Sequence, residues 1–168
     1  MNGVTETTLL ASYSLVAVYS AMAVYTLSFL KKVIAAGAAD VAVLKVSPLG
    51  GLESARELAL QANGAGLEVV ISSGLETSVG LSWGIRAADL LRRDLGSLAD
   101  AGLGTAVFFR DDVVVDPLLV SEGSVPINEP QLDEIKVERW AAPPTVGGWW
   151  RERLKRCFPL ALRILESR

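Results

Sequence analysis

Two short apolar runs, "VAVLKV" at residues 41–46 and "LEVVISS" at 67–73, restrict the fold of this chain more than any other feature. Continuous apolarity over a few residues, bounded by turn residues, marks strands buried on both faces. Between the runs, "LESARELALQANGAG" sets Leu52, Ala55, Leu58, Ala59 and Ala62 at helical spacing and closes on glycines. Strand, helix and second buried strand in that order predict parallel α/β structure with right-handed crossovers. The only charge within the first run is Lys45, just before the turn "SPLGG".

The pattern continues downstream. "TSVGLSWGIRAADLLRRDLG" reads as a helix that Thr77 or Ser78 can cap. A third short strand is expected in "SLADAGLGTAVFF", where local propensity favours Thr105–Phe109. After Arg110 the rhythm breaks. "DDVVVDPLLVSEGSVPINEP" reads as irregular short strands around Pro and Gly, and "APPTVGG" as a linker. "WWRERLKRCFPLALRILESR" reads as a basic amphipathic helix, kinked or split at Pro159. Two readings stand for it: contact with a lipid surface or anionic partner, or packing of its Trp, Leu and Phe on the domain.

The N-terminal residues differ from the rest. From Thr7 to Leu30 there are 24 residues without a charge, long enough as a helix to cross a hydrocarbon core of about 30 Å. Only Glu6 precedes the run, and Lys31 and Lys32 follow it. That order suits a membrane helix with its C-terminal side in the cytoplasm rather than a signal peptide. A buried core helix is the other reading. Tyr13, Tyr19 and Tyr25 recur every six residues and so fall on three different helix faces. The expected organisation is a hydrophobic, membrane-type helix at 1–32, an α/β region at 33–110, and an irregular tail with a terminal helix at 111–168.

Composition excludes several chemistries. The hydrophobic content is 51% and the mean hydropathy +0.38, which is what directs attention to a membrane segment. A net charge of −3 carries no electrostatic footprint for nucleic acid. There is no histidine, which removes Ser-His-Asp and Cys-His catalysis. The single cysteine, Cys157, rules out an internal disulfide and fits a reducing, cytoplasmic compartment.

In parallel α/β proteins, reactive groups gather where strands end and helices begin. Three segments meet that condition. Lys45 ends the first strand; Ser72 and Ser73 end the second; Gly102 and Gly104 allow a ligand close to the backbone of the third. An ammonium in apolar surroundings has its charged form disfavoured, which makes Lys45 a candidate proton carrier. A strand-end lysine snorkelling to water, and serines serving only as helix caps, are the structural alternatives.

Four segments in order, "GAADVAVLKVSPLGG", "VVISSGLETSVGL", "AGLGT" and the terminal "APP…WW.ERLKRCF", resemble o-succinylbenzoate synthase of the actinobacterial type, in the enolase superfamily. The resemblance runs from about residue 32 to 160 and covers only the C-terminal part of that enzyme. It implies the last three strand–helix units of a (β/α)8 barrel, with the third strand at about Leu98–Leu103. It further implies that Lys45 is the sixth-strand lysine, an acid/base group or a cation stabilising the enolate. By the same likeness Ser73, with Ser72 beside it, contacts the succinyl carboxylate, and Gly102 makes a backbone contact from the eighth strand. Residues 1–30, above all "YSAMAVYTL", are similar instead to the first membrane helix of a cytochrome c biogenesis protein.

The family reaction is the dehydration of 2-succinyl-6-hydroxy-2,4-cyclohexadiene-1-carboxylate in menaquinone biosynthesis, through an enediolate held by Mg²⁺. It needs a first lysine and three carboxylates on earlier strands, to which no residue here corresponds; Glu76, Asp100, Asp111 and Asp112 match no ligand position. The resemblance therefore implies a partial enzyme, inactive alone, with no Mg²⁺ bound by this chain. Its partners are then a small dicarboxylate if a second chain completes the barrel in trans, the membrane through residues 7–30, and self-association through exposed strand edges. The other readings are a membrane-tethered, non-enzymatic remnant joining two genes, and an N-acylamino acid racemase-like fragment.

Overall fold

A computed structural model describes residues 27–158. The first apolar run forms β1 (Val41–Lys45) and the second forms β2 (Glu68–Ser72). They pair in parallel, with Val41 opposite Glu68 and Lys45 opposite Ser72. Alternation sends Ala42 and Leu44 of β1, and Val69 and Ile71 of β2, to one face, where all four are buried in the core. Val41, Val43, Lys45, Val70 and Ser72 share the opposite face, and Val43 is only 3% exposed. Burial on both faces is what the unbroken apolar run predicted.

The crossover is α2 (Leu52–Gly64), preceded in the chain by α1 (Leu27–Ala36). Ala55, Leu58, Ala59 and Ala62 are its buried stripe, and the partly buried Leu52 packs against the same core. Gly66 ends the unit with φ of 85°, a value an L side chain resists, while the Leu67 N–H donates back to Ala62 O. α3 (Ser78–Leu95) adds Leu81, Ile85, Ala88 and Leu91 to the core and ends at Gly96 in the left-handed region. Arg56 of α2 and Asp94 of α3 form an ion pair of 2.6 Å, which raises the guanidinium's already high pKa through that hydrogen bond.

The third strand is reduced to one residue. Gly102 forms a parallel bridge with Ser72, donates to Ile71 O at 2.8 Å, and accepts from Ser73 N–H at 3.1 Å. Thr105–Phe108, the stretch that propensity favoured as strand, is a 3-10 turn. A run of β-branched and aromatic residues is helical there because Gly102 takes the sheet edge and Leu103 and Ala106 turn into the core. Leu103 lies so close to α3 that a Cβ on Gly84 would stand 2.8 Å from its Cδ2.

The chain divides into two compact units, Met1–Leu132 and Asp133–Arg168. Residues 111–132, which the sequence groups with the tail, thus belong with the first unit. Their anchor is Asp112, only 4% exposed. One carboxylate oxygen accepts from both Ser78 N–H (2.9 Å) and Ser78 O–H (2.7 Å); the other accepts from Val113 N–H (2.7 Å). Ser78 Oγ in turn accepts from Leu118 N–H at 2.8 Å. The expectation that Thr77 or Ser78 caps α3 is corrected accordingly. Thr77 occupies the N-cap position with no side-chain bond, and the cap is a carboxylate 34 residues downstream.

In the second unit, Asp133 caps α4 (Glu134–Arg139) by accepting from Ile135 and Lys136 N–H, each at 3.1 Å. α5 runs Pro144–Cys157, so most of the expected linker "APPTVGG" is helical. Pro144 sits at the helix start, where its fixed φ and missing N–H do no harm. Pro159, the expected kink, lies outside the described residues. No residue of α5 is buried; Trp149 and Trp150 meet edge to face at 4.8 Å, with the Arg153 guanidinium 5.5 and 5.8 Å from the two rings.

The apolar N-terminal run is described only from Leu27 onward. There it is the first turn of α1, whose Leu30 is 1% exposed within the α/β core. Among the described residues no helix is long and apolar enough to cross a membrane. Residues 7–26 lie outside that description.

Candidate active site

Parallel register fixes where the candidate residues meet. Lys45 is the last residue of β1, Ser72 is its partner at the end of β2, and Gly102 is bridged to Ser72. The three therefore stand side by side at the C-terminal edge, with Lys45 and Ser72 on the sheet face opposite the helices. Lys45 is half-buried, and Ser72 and Ser73 are buried. A tight turn follows β1. Gly50 and Gly51, with φ of 88° and 125°, fold back so that Gly51 N–H donates to Val46 O. Ser47, in that turn, hydrogen-bonds Glu76 of the next strand–helix loop, tying the two loops together.

The two serines have different surroundings. Ser72 Oγ lies 3.4 Å from the Ser73 and Gly102 carbonyl oxygens. Ser73 Oγ lies 2.9 Å from Thr105 Oγ1 and 3.3 Å from Gly102 O. Thr105 Oγ1 donates to Gly74 O at 2.7 Å. Both backbone polar groups of Gly102 are engaged, with Ile71 O and Ser73 N–H, so any ligand approaching there meets a glycine without a side chain rather than a free donor. Sequence reasoning did not single out Thr105, Ser47 as Glu76's partner, or Asp112 as a cap. Thr105 stood inside what read as a strand, and no local signal distinguished it.

A half-buried lysine in register with a buried serine suits a carboxylate and can carry a proton. The same residues do not fit a magnesium ion, which takes carboxylate oxygens in octahedral geometry. No three acidic or cysteine side chains come together among the described residues. Asp112 is committed to capping, and Glu76 to Ser47. A separate cleft of about 340 Å³, lined by Ile85, Arg92, Asp100, Val120 and Ile127 among others, contains none of Lys45, Ser72, Ser73 and Gly102.

Comparison with known proteins agrees with this architecture. The family model described as enolase C-terminal domain-like matches residues 2–131. The o-succinylbenzoate synthase of Mycobacterium ulcerans is 39% identical over 132 residues, covering 78% of this chain and 38% of that protein. The one from Mycobacterium leprae is 39% identical over 129 residues, covering 76% and 36%. The chain thus spans under two fifths of the length of the curated relatives it matches. Among solved structures, muconate lactonizing enzyme from Klebsiella pneumoniae superposes with a TM-score of 0.64 at 25% identity, over 72% of this chain and 34% of that one. The N-succinyl Arg/Lys racemase of Bacillus cereus shares the fold, with a TM-score of 0.58 at 24% identity over 68% and 31%.

The family match begins at residue 2 and ends at 131. It takes in the whole apolar run, so neither the likeness to a cytochrome c biogenesis helix nor a gene junction near Lys31 gains support. An element enclosed on all sides by a barrel is as uncharged as a membrane span, and hydropathy alone does not separate the two. With 130 of its 168 residues under that match and its strands in parallel register, the chain belongs to the enolase C-terminal domain-like family.

Proposed function

We propose that this chain carries the sixth-to-eighth-strand wall of an o-succinylbenzoate synthase active site. Lys45 serves as its acid/base or enolate-stabilising cation, with Ser72, Ser73 and Gly102 flanking the succinyl carboxylate. The observation that carries the reading is the row Lys45–Ser72–Gly102, in register across neighbouring strands at the sheet edge. Identity near 39% to proteins named o-succinylbenzoate synthase supports the choice of substrate class. In the full reaction, 2-succinyl-6-hydroxy-2,4-cyclohexadiene-1-carboxylate loses water to give o-succinylbenzoate, in the cytoplasm. The family generally uses Mg²⁺, for which the described residues offer no ligand set. This chain's residues are left with binding and proton transfer.

Titration of o-succinylbenzoate into the isotopically labelled chain tests the binding part. Amide signals of Lys45, Ser72 and Gly102 are expected to move together. Lys45→Met should weaken binding about tenfold or more, the effect of losing one charge-assisted hydrogen bond. Signals that stay fixed at all three positions would refute the reading. The purified chain with Mg²⁺ is expected to give no dehydration, and measurable turnover would refute the restriction of these residues to binding and proton transfer.

A further inference from the structure

The hydroxyl of Ser73 has one proton, and the geometry around it decides where that proton goes. Gly74 O is purely an acceptor, so the 2.7 Å contact consumes the proton of Thr105. Thr105 Oγ1 then has only lone pairs for Ser73, 2.9 Å away, and must accept. Gly102 O, at 3.3 Å, is the poorer alternative and already receives the Ser73 N–H. Reversing the order would leave Gly74 O without its donor. Ser73 therefore offers a ligand lone pairs only, whereas a carboxylate needs donors.

We infer that Thr105 is a positioning residue of the candidate site: it holds the Ser73 proton, so that Ser73 turns lone pairs rather than a donor toward an incoming carboxylate. This rests on the carboxylate-binding reading above. It also gives a reason for a 3-10 turn directly after Gly102, since that turn brings the Thr105 hydroxyl between the ends of the two strands.

The test uses the full chain and o-succinylbenzoate as the probe. Thr105→Val removes the acceptor and frees the Ser73 proton, so affinity should rise about fivefold. Adding Ser73→Ala to that variant should abolish the gain, and Thr105→Ser, which keeps the hydroxyl, should bind like the parent. Unchanged or weaker binding in Thr105→Val overturns the inference. Failure of the parent chain to bind the probe overturns the carboxylate reading instead. The hydroxyl order is then decided without ligand, by proton NMR of the parent. A slowly exchanging Ser73 hydroxyl proton with a nuclear Overhauser contact to Thr105 supports it, and a Ser73 hydroxyl exchanging as fast as an exposed serine overturns it.

Discussion

Asp112 shows what single residues contribute beyond the site. Its carboxylate satisfies two donors at the start of α3, and Ser78 passes the connection on to Leu118. Asp112→Ala leaves a buried N–H and hydroxyl without their acceptor, a loss of about 2–3 kcal/mol. Urea unfolding should report it as a lower midpoint at unchanged slope. Ser78→Ala should be destabilising as well, and the double variant less than additive, because both act through one network. At this scale the sequence was partly legible. Lys45 declared itself as a lone charge in an apolar run, and Ser72 and Ser73 as polar residues at a strand end. Asp112 and Thr105 did not, because their partners lie 34 and 32 residues away and only the folded chain brings them together.

Elements with strong periodicity were legible where their burial was complete. β1, β2, α2 and α3 fall where the apolar runs and helical stripes put them. The third strand was not legible in local pattern, since one bridged glycine leaves none and the β-branched stretch after it turns instead; the family resemblance alone put it at about Leu98–Leu103, where Gly102 is bridged. Close packing of α3 on Leu103 makes a further expectation at this scale. Gly84→Leu must displace a buried side chain, and should destabilise by about 1–3 kcal/mol in thermal or urea unfolding despite leucine's better helix propensity. On α5, Lys155 donates to Glu152 at 2.8 Å and holds that carboxyl below its ordinary pKa. A depressed folded-state pKa stabilises above the unfolded value and fades as pH falls through the folded one. Helicity followed by circular dichroism should therefore decline slightly on acidification below the ordinary glutamate range, and Glu152→Gln should remove that part of the decline.

At the scale of the molecule, the apolar N-terminal run has two readings for a physical reason: enclosure by protein and enclosure by lipid select the same side chains. Among the described residues β1 pairs only with β2, and we propose that its other edge pairs with a second copy of the chain. Sedimentation over a range of concentrations is expected to show association of the chain with itself. A constant monomer mass would remove the edge as an interaction surface.

The downstream origin of the α3 cap also bears on synthesis. Ser78 leaves the ribosome's exit tunnel 34 residues ahead of Asp112, so the start of that helix emerges before its acid does. The segment must wait, held by its apolar stripe alone, until Asp112 clears the exit tunnel. A nascent chain arrested before that point should be more open to proteases near Ser78 than one arrested once Leu118 has cleared the tunnel.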